Sequence, residues 1–477
     1  MRREAFAMYE TVIGLEIHSE LDTRSKAFCS CSVSFGEKPN THVCPVCMGL
    51  PGAMPKLNGR VVEYAVKTGL ATSCSINHKS YHARKNYFYP DLPKGYQISQ
   101  SDVPLCVNGF VEIEGRKIRI NRIHIEEDAG KLIHAEHATI VDYNRAGVPL
   151  IEIVTEPDIR SAEEAKLFLD EIRNRLLYTG ISKCRMQEGN LRCDVNVSVR
   201  KKGEESFGER CEMKNVNSFS AVVRCIEYEV KRQMEIINNG GWVERETRKW
   251  DDEKRCSIIL RKKEEERDYR YFPEPDLPPV IINDEMIEKI RGTMPEMAHE
   301  KEKRYIKDYG LSDYVAKTIA SEKEYAIIFD EAVSLGAGAK ICANLILGDV
   351  ARIVNERGFS GKEIPFAGKQ LFEIAEMLKD NMISYTAAGK IIEEVFDTEQ
   401  SPFLVVKEKD FTQISDRKEL RRLAEEVLSE NKRSVADYKN GKTNALGYLT
   451  GQCMKKSMGR ANPKVINELL KEYMEDK

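Results

Sequence analysis

Side chains able to do chemistry lie in four stretches of the chain. The first, YETVIGLEIH at 9–18, carries Glu16 and His18 two residues apart. On a β-strand such a pair shares one face. A carboxylate beside an imidazole is a half-site for a divalent cation or a proton-transfer pair, although alone it also fits a solvated strand face. The second stretch, 116–158, contains two β-rich segments with acids where a buried strand would want Val or Ile. One runs through Ile118, Ile120, Ile123 and Ile125 into Glu126, Glu127 and Asp128; the other surrounds Glu152 with Leu150, Ile151, Ile153 and Val154. Burying such a carboxylate is costly unless a cation or a metal compensates it. The third stretch, 28–52, pairs Cys29 with Cys31 and Cys44 with Cys47 across a Gly/Pro/Asn-rich loop. Two such knuckles supply four thiolates, the donor set of a closed, structural zinc site. The first knuckle is one residue shorter than usual, and His42 is a possible substitute ligand. In the fourth stretch Arg192, Asp194, Asn196 and Ser198 alternate with Cys193, Val195, Val197 and Val199, giving a strand with one wholly polar face.

The elements that must position these groups follow from periodicity and punctuation. Strand 9–18 turns Ile13, Leu15 and Ile17 away from Glu16 and His18. The strand through 118–126 needs a phase slip near Asn121 and Arg122 to keep its isoleucines on one side. At its end Glu127 follows the phase of Ile123 and Ile125, whereas Glu126 follows His124, so only one of the two faces the site. Amphipathic helices are expected over 58–73 and over 161–178, the latter with Ser161 and Glu164 as a capping box and Gly180 beyond its end. The cluster 212–218 is expected to open a helix running to about Asn238. The loops 85–100 and 268–276 are dense in aromatic residues and Pro; Tyr87, Phe88, Tyr89 and Tyr96 could stack on a base or simply pack on a domain. Past PEPDLPP (273–279) the character turns helical. A heavily apolar helix is expected at 341–354 and a helix pair at 382–396, with a linker through Ser401-Pro402 and 407–410. The fold class is therefore α+β: a β-rich domain of mainly antiparallel sheet with flanking helices, then an all-helical domain and a small helical tail. The boundaries fall at 1–293, 294–407 and 408–477, with the cysteine insertion at 28–52.

Composition narrows the function. The chain has 477 residues, 41% hydrophobic and 32% charged, as a full-cored globular protein would. A net charge of −3 gives no global argument for nucleic acid. Locally, however, 431–464 holds eight Lys/Arg against one acid, Asp437, with Gly441, Gly447, Gly451 and Gly459 interleaved. This suits phosphates or a solvated basic face. The opening MRREAFAMYETVIG lacks a secretory h-region, no run approaches ~20 apolar residues, and thirteen scattered Cys fit a reducing cytoplasm. GKT at 441–443 lacks the glycine of a P-loop. No nucleophile motif is present. What remains is strand-borne acids with a His, the equipment of metal-assisted phosphoryl chemistry.

ETVIGLEIHSEL, RKNYFYPDLPKGYQISQ, RIHIEEDAGK, NRAGVPLIEIVTEPD, EGNLRCDVNVSVR, KNVNSF and DYRYFPEPD, in this order and with the basic tail, resemble the GatB family, the B subunits of the tRNA-dependent amidotransferases. The resemblance spans nearly the whole chain. It implies a cradle domain, a helical domain and a tRNA-binding tail. It also implies an activity: ATP phosphorylates the side-chain carboxylate of mischarged Glu-tRNA(Gln) or Asp-tRNA(Asn), and ammonia from the amidase, the A subunit, then forms the amide in a heterotrimer of A, B and C subunits. Carried onto this chain, magnesium would be held by Glu16, His18, Glu127 and Glu152, while Arg192 and Asp194 would contact ATP or substrate. Cys29, Cys31, Cys44 and Cys47 fit the zinc-bearing subset of the family. The alternative is a zinc-containing tRNA-binding module without chemistry, against which the clustered acids argue, since carboxylates repel phosphates unless a metal bridges them.

Overall fold

The computed structural model describes residues 8–262, 266–359, 364–414, 416–457 and 459–475. The opening heptapeptide of the expected non-signal N-terminus, and Met458 of the basic tail, lie outside them. The chain divides into two compact units, Met1–Met297 and Ala298–Lys477.

The first unit is built on one nine-stranded sheet. In chain order its strands are β1 (Tyr9–Glu20), β2 (Ser75–Ile76), β3 (Cys106–Ile113), β4 (Arg116–Glu127), β5 (Pro149–Thr155), β6 (Leu191–Lys201), β7 (Cys211–Val216), β8 (Glu246–Asp251) and β9 (Cys256–Lys262). Their spatial order is β9-β8-β7-β6-β1-β5-β4-β3-β2, antiparallel throughout except for the parallel pair β7–β8. Strict alternation gives the sheet one apolar and one polar face. Ile17 stands opposite Cys193 on one side and Ile153 on the other, and Ile153 opposite Ile123, so the apolar row runs unbroken across four strands. Three helices cover that face: α1 (Gly59–Ala71), α2 (Ala162–Tyr178) and α3 (Phe219–Asn238). Their Val61, Val66, Phe168, Leu169, Ile172, Val222 and Ile226 join the strand isoleucines in one core. Each such side chain, fully buried, stabilises the fold by about 1.5–3 kcal/mol.

The expected phase slip is a bulge. Val154 pairs with Arg122 but Thr155 with Ile120, so Asn121 is extra and Ile118, Ile120, Ile123 and Ile125 all face the core. Local caps fix the helices. Asn58 accepts from Arg60 N and Ser161 from Glu164 N, while the Glu164 carboxylate reaches the amide of Arg160 rather than that of Ser161. One expectation needs correction: Glu212, Met213 and Lys214 do not open a helix but lie on β7. Cys211, Met213 and Val216 are buried while Asn196 pairs with Glu212, and the helix starts only after Ser218, whose hydroxyl caps it. A small three-stranded sheet (Ala83–Asn86, Tyr96–Ser99, Phe272–Pro273) joins the two aromatic loops, fastened by Arg84, which binds Glu274 through two nitrogens at 2.7 and 2.8 Å.

The second unit is helical. Its larger core takes Tyr305, Phe329, Ile346, Ile374, Ile391 and Val395, and a smaller one gathers Leu420, Val427, Leu449, Leu469 and Leu470. The apolar helix at 341–354 is continuous through a π-helical turn at Ile346–Val350. The helix pair expected at 382–396 is a single helix, Tyr385–Thr398, capped by Ser384. The segment read as a linker is mostly the helix Pro402–Lys409, because Pro at a first helical position starts a helix rather than breaking it.

Candidate functional site

The polar face of the central sheet gathers the chemistry. Arg192, His18, Glu152 and His124 stand side by side on β6, β1, β5 and β4. Glu16 lies two residues away on β1, opposite Asp194. The groups form two adjoining clusters rather than one.

In the first cluster His18 Nε2 lies 3.2 Å and His124 Nε2 3.4 Å from the same oxygen of Glu152, and His124 Nε2 is also 3.4 Å from Glu126 Oε1. Ser99 Oγ donates to Glu126 at 2.7 Å, and Lys85 Nζ approaches it at 3.8 Å. His18, Glu126 and Glu152 each offer an atom within 4.8 Å of the others. Glu126 and Glu152 are only 2% and 7% exposed, so they must be compensated. Burial opposes the charged form of Glu152, yet His124 and His18 hold its carboxyl well below the usual range. Burial likewise opposes ionisation of Glu126, and Lys85 beside it prevails. Burial would lower His124, but Glu152 and Glu126 push it up to about 9. His18 is raised in the same way, against burial and chiefly by Glu152.

The second cluster comprises Glu16, Asp194 and Glu212, again with donor atoms within 4.8 Å. Lys214 Nζ bridges Asp194 and Glu212, the latter at 3.2 Å. Asn196 donates to Glu16 at 2.9 Å, and Thr247 donates to Glu212 at 2.9 Å. A cavity of about 340 Å³ opens beside it, lined by Gly14, Glu16, Asn196, Ser198, Arg210 and Arg245 among others. Where the same face continues past His18, Glu20 and Asp128 meet. Burial and the neighbouring Asp128 push Glu20 up to about 7. Arg192 binds Asp128 at 2.8 Å.

Glu127 is not in either cluster. It follows the core phase and emerges on the opposite side of the strand, where it pairs with Lys94 and accepts from Ile98 N at 2.9 Å. Glu126 takes the place expected of it, because Glu126 shares the phase of His124 and the polar face, not that of Ile125. Glu16 and His18 share a face as expected, but each serves its own cluster; Asp194 belongs with Glu16, and Arg192 with Asp128. Sequence reasoning missed His124, Lys85, Glu212 and Lys214 as members. The signal for His124 was its position two before Glu126; Glu212 and Lys214 were hidden by the mistaken helix.

Cys29, Cys31, Cys44 and Cys47 converge in a third place, their sulfurs all within 4.8 Å, and His42 is not among them. Cys44 N donates to Cys47 Sγ at 3.2 Å, closing the second knuckle. A hydrogen bond with Cys29 outweighs burial and, with Lys26 helping, draws Cys47 down to about 4, while Cys29 is driven up. Four sulfurs at this spacing fit a tetrahedral thiolate metal site, and the two carboxylate clusters offer the oxygen and imidazole donors of harder cations.

Residues 11–288 match the family model of the GatB/GatE catalytic domain, and residues 328–474 that of the GatB domain. The B subunit of the aspartyl/glutamyl-tRNA(Asn/Gln) amidotransferase of Caldicellulosiruptor saccharolyticus is 52% identical over 476 residues, covering 98% of this chain and 99% of its own. The corresponding B subunit of Caldanaerobacter subterraneus is 52% identical over 471 residues, covering 98% and 99%, and that of Clostridium tetani 46% over 469, covering 97% and 98%. With both family models and full-length relatives in agreement, the chain belongs to the GatB family, the B subunits of the aspartyl/glutamyl-tRNA amidotransferases.

Proposed function

We propose that this chain is the component that uses ATP and transfers the amide group in a tRNA-dependent amidotransferase. The observation that carries the reading is the pair of adjoining clusters on one polar sheet face, with a nucleotide-sized cavity beside the second. In this reading a side-chain carboxylate oxygen of a misacylated Glu-tRNA(Gln) or Asp-tRNA(Asn) attacks the γ-phosphorus of ATP, and ADP leaves. Ammonia supplied by an amidase partner then adds to the acyl phosphate carbonyl; phosphate departs, and the nitrogen loses a proton to become the amide. His18, Glu126 and Glu152 would hold one magnesium ion, and Glu16, Asp194 and Glu212 a second. Bound there, magnesium neutralises charge on the transferring phosphoryl group. The chain's own residues prepare the site. His18 and His124 keep Glu152 ionised, Ser99 orients Glu126, and Asn196 orients Glu16 toward the cavity. Lys214 is a cation placed to exchange its carboxylate partners for phosphate. Zinc would occupy the four cysteines. Residues 294–407 would form a helical domain and 408–477 a tail that grips tRNA through exposed Lys432, Arg433, Lys439 and Lys455.

The acids disfavour a purely binding role, because a tRNA-phosphate groove has no use for buried carboxylates. The test is to incubate the chain, alone and with its A and C partners, with mischarged tRNA, magnesium and γ-labelled ATP. Phosphate release that requires both magnesium and mischarged tRNA, with amide formed on adding ammonia, is expected. Tight tRNA binding without ATP turnover in the full complex would overturn the reading.

A further inference from the structure

Lys26 is among the largest fully buried side chains of the protein, with no exposed surface at all. A buried lysine is ordinarily matched by a carboxylate. Here its ammonium nitrogen donates instead to Cys47 Sγ at 3.6 Å and to the carbonyl of Tyr143 at 3.1 Å, and it makes no ion pair among the described residues. Its main chain is held to the first cysteine knuckle, Lys26 N donating to the carbonyl of Cys31 at 3.0 Å. A cation buried against sulfur is tolerable only where that sulfur cluster carries negative charge. Four thiolates around a divalent ion leave such an excess.

The same side chain reaches the segment that leads into the strand carrying Glu152. Tyr143 begins the turn that leads into β5. In that turn Gly147 O accepts from Ala27 N at 2.9 Å and Gly147 N donates to Asp128 O at 2.8 Å, while Asp128 N donates to Val148 O at 2.8 Å. Gly147 has φ +86°, and a Cβ there would lie 3.4 Å from the Lys26 side chain, 3.6 Å from Glu127 Oε2 and 3.7 Å from Cys47 Cβ. The cysteine cluster, the lysine and the end of β4 therefore meet around one glycine.

We propose that Lys26 is the counter-cation of a tetracysteine metal centre and the link that fastens this centre to the turn setting the ends of β4 and β5. Donation to Cys47 lowers the charge density on that sulfur. Metal in the cluster would in turn keep all four sulfurs ionised, so that Lys26, while it holds Tyr143, faces a net negative centre rather than the Cys47 thiolate alone. This coupling is independent of the reaction performed at the carboxylate clusters.

The experiment uses the full-length chain loaded with zinc. Zinc transfer to a chromogenic chelator, at neutral pH, is compared for wild type and Lys26→Met, which keeps the stem and removes the charge. Loss of a partner one shell beyond the ligands typically weakens metal affinity ~10–100-fold, and a change in that range is expected, with faster alkylation of Cys47 by iodoacetamide. Equal zinc retention would overturn the proposal, as would a chain that takes up no zinc. A second measurement needs no variant: reductive methylation of wild type read by mass spectrometry, with and without prior stripping of metal. Lys26 should be protected in the zinc form and labelled after stripping, together with faster amide hydrogen exchange over 143–148. A Lys26 equally protected in both forms would refute the coupling even if the variant failed to fold.

Discussion

Replacing Glu152 by Gln keeps shape and hydrogen-bonding capacity but removes the charge that both imidazoles face. His124 is 3% exposed, and its carboxylate neighbours take it from an ordinary 6.5 to about 9. At ~1.36 kcal/mol per unit, that shift contributes about 3 kcal/mol to stability. Because the folded value is raised, the contribution is complete below pH ~6.5 and disappears as pH rises through ~9. Glu152 acts on His124 more strongly than Glu126 does, so Glu152→Gln should lose about 2 kcal/mol near pH 6 without metal, and almost nothing near pH 9.5. Urea unfolding in EDTA measures this. Trp250 of β8, 1% exposed, and the exposed Trp242 both lie in the first unit and report its unfolding. Magnesium should stabilise the wild type further and the variant little. Amide formation should fall more than ~100-fold while tRNA binding in a filter assay is unchanged. A gap between wild type and variant that stays constant with pH, or widens in alkali, would refute the charge argument. Loss of tRNA binding would refute the assignment of Glu152 to the metal site.

Other perturbations separate the remaining parts. Glu212→Gln should weaken magnesium–ATP binding ~10-fold by calorimetry and leave tRNA affinity intact; unchanged nucleotide affinity would remove the second cluster from the nucleotide site. His82 is buried with neither ring nitrogen bonded among the described residues, and burial lowers it to about 4. Its neutral form therefore supports the fold above pH ~6.5, and about 3 kcal/mol is lost as pH falls to ~4. His82→Phe, packing against Phe28, should flatten the acid limb of the stability curve, and an unaltered limb would assign acid sensitivity elsewhere. Truncation before residue 408 should lower tRNA affinity and flatten its salt dependence by roughly 0.7–0.9 for each phosphate no longer engaged, with ATP binding preserved. Equal affinity of the truncated chain would refute a tRNA-binding tail.

The architecture was legible where a single periodicity governs a stretch. Alternation in β1 and β6 fixed both faces of two central strands, and the isoleucines of β4 required the break at Asn121 that pairing places there. The four-cysteine cluster was legible because two knuckles need only local turns to converge. Phase separated Glu126 from Glu127 without saying which of the two faces the polar side: Glu127 goes with the core isoleucines, and it is the opposite phase, that of His124, that the strand turns toward the polar face. The division into two clusters was beyond the sequence. It depends on which residues of β1 meet β5 and β6, a register set by strand pairing over more than a hundred residues of separation, and on the shorter-range pairing of β6 with β7. Glu212 was lost for a related reason, since a short strand followed at once by a capped helix reads locally as one helix.

Glu126 and Glu127 are neighbours in the chain yet occupy different compartments, one among the carboxylates of the polar face, the other beside Lys94 and the cysteine loop. Only an extended chain, turning half a revolution per residue, can do this; a helix would leave the two on overlapping arcs. The end of β4 is thus a partition one peptide thick. Substitution at either position alters one compartment alone, whereas gain or loss of a single residue in 126–128 would exchange the contents of both. Length variation here should accordingly be confined to the stretch beyond Asp128, where the chain has left the partition.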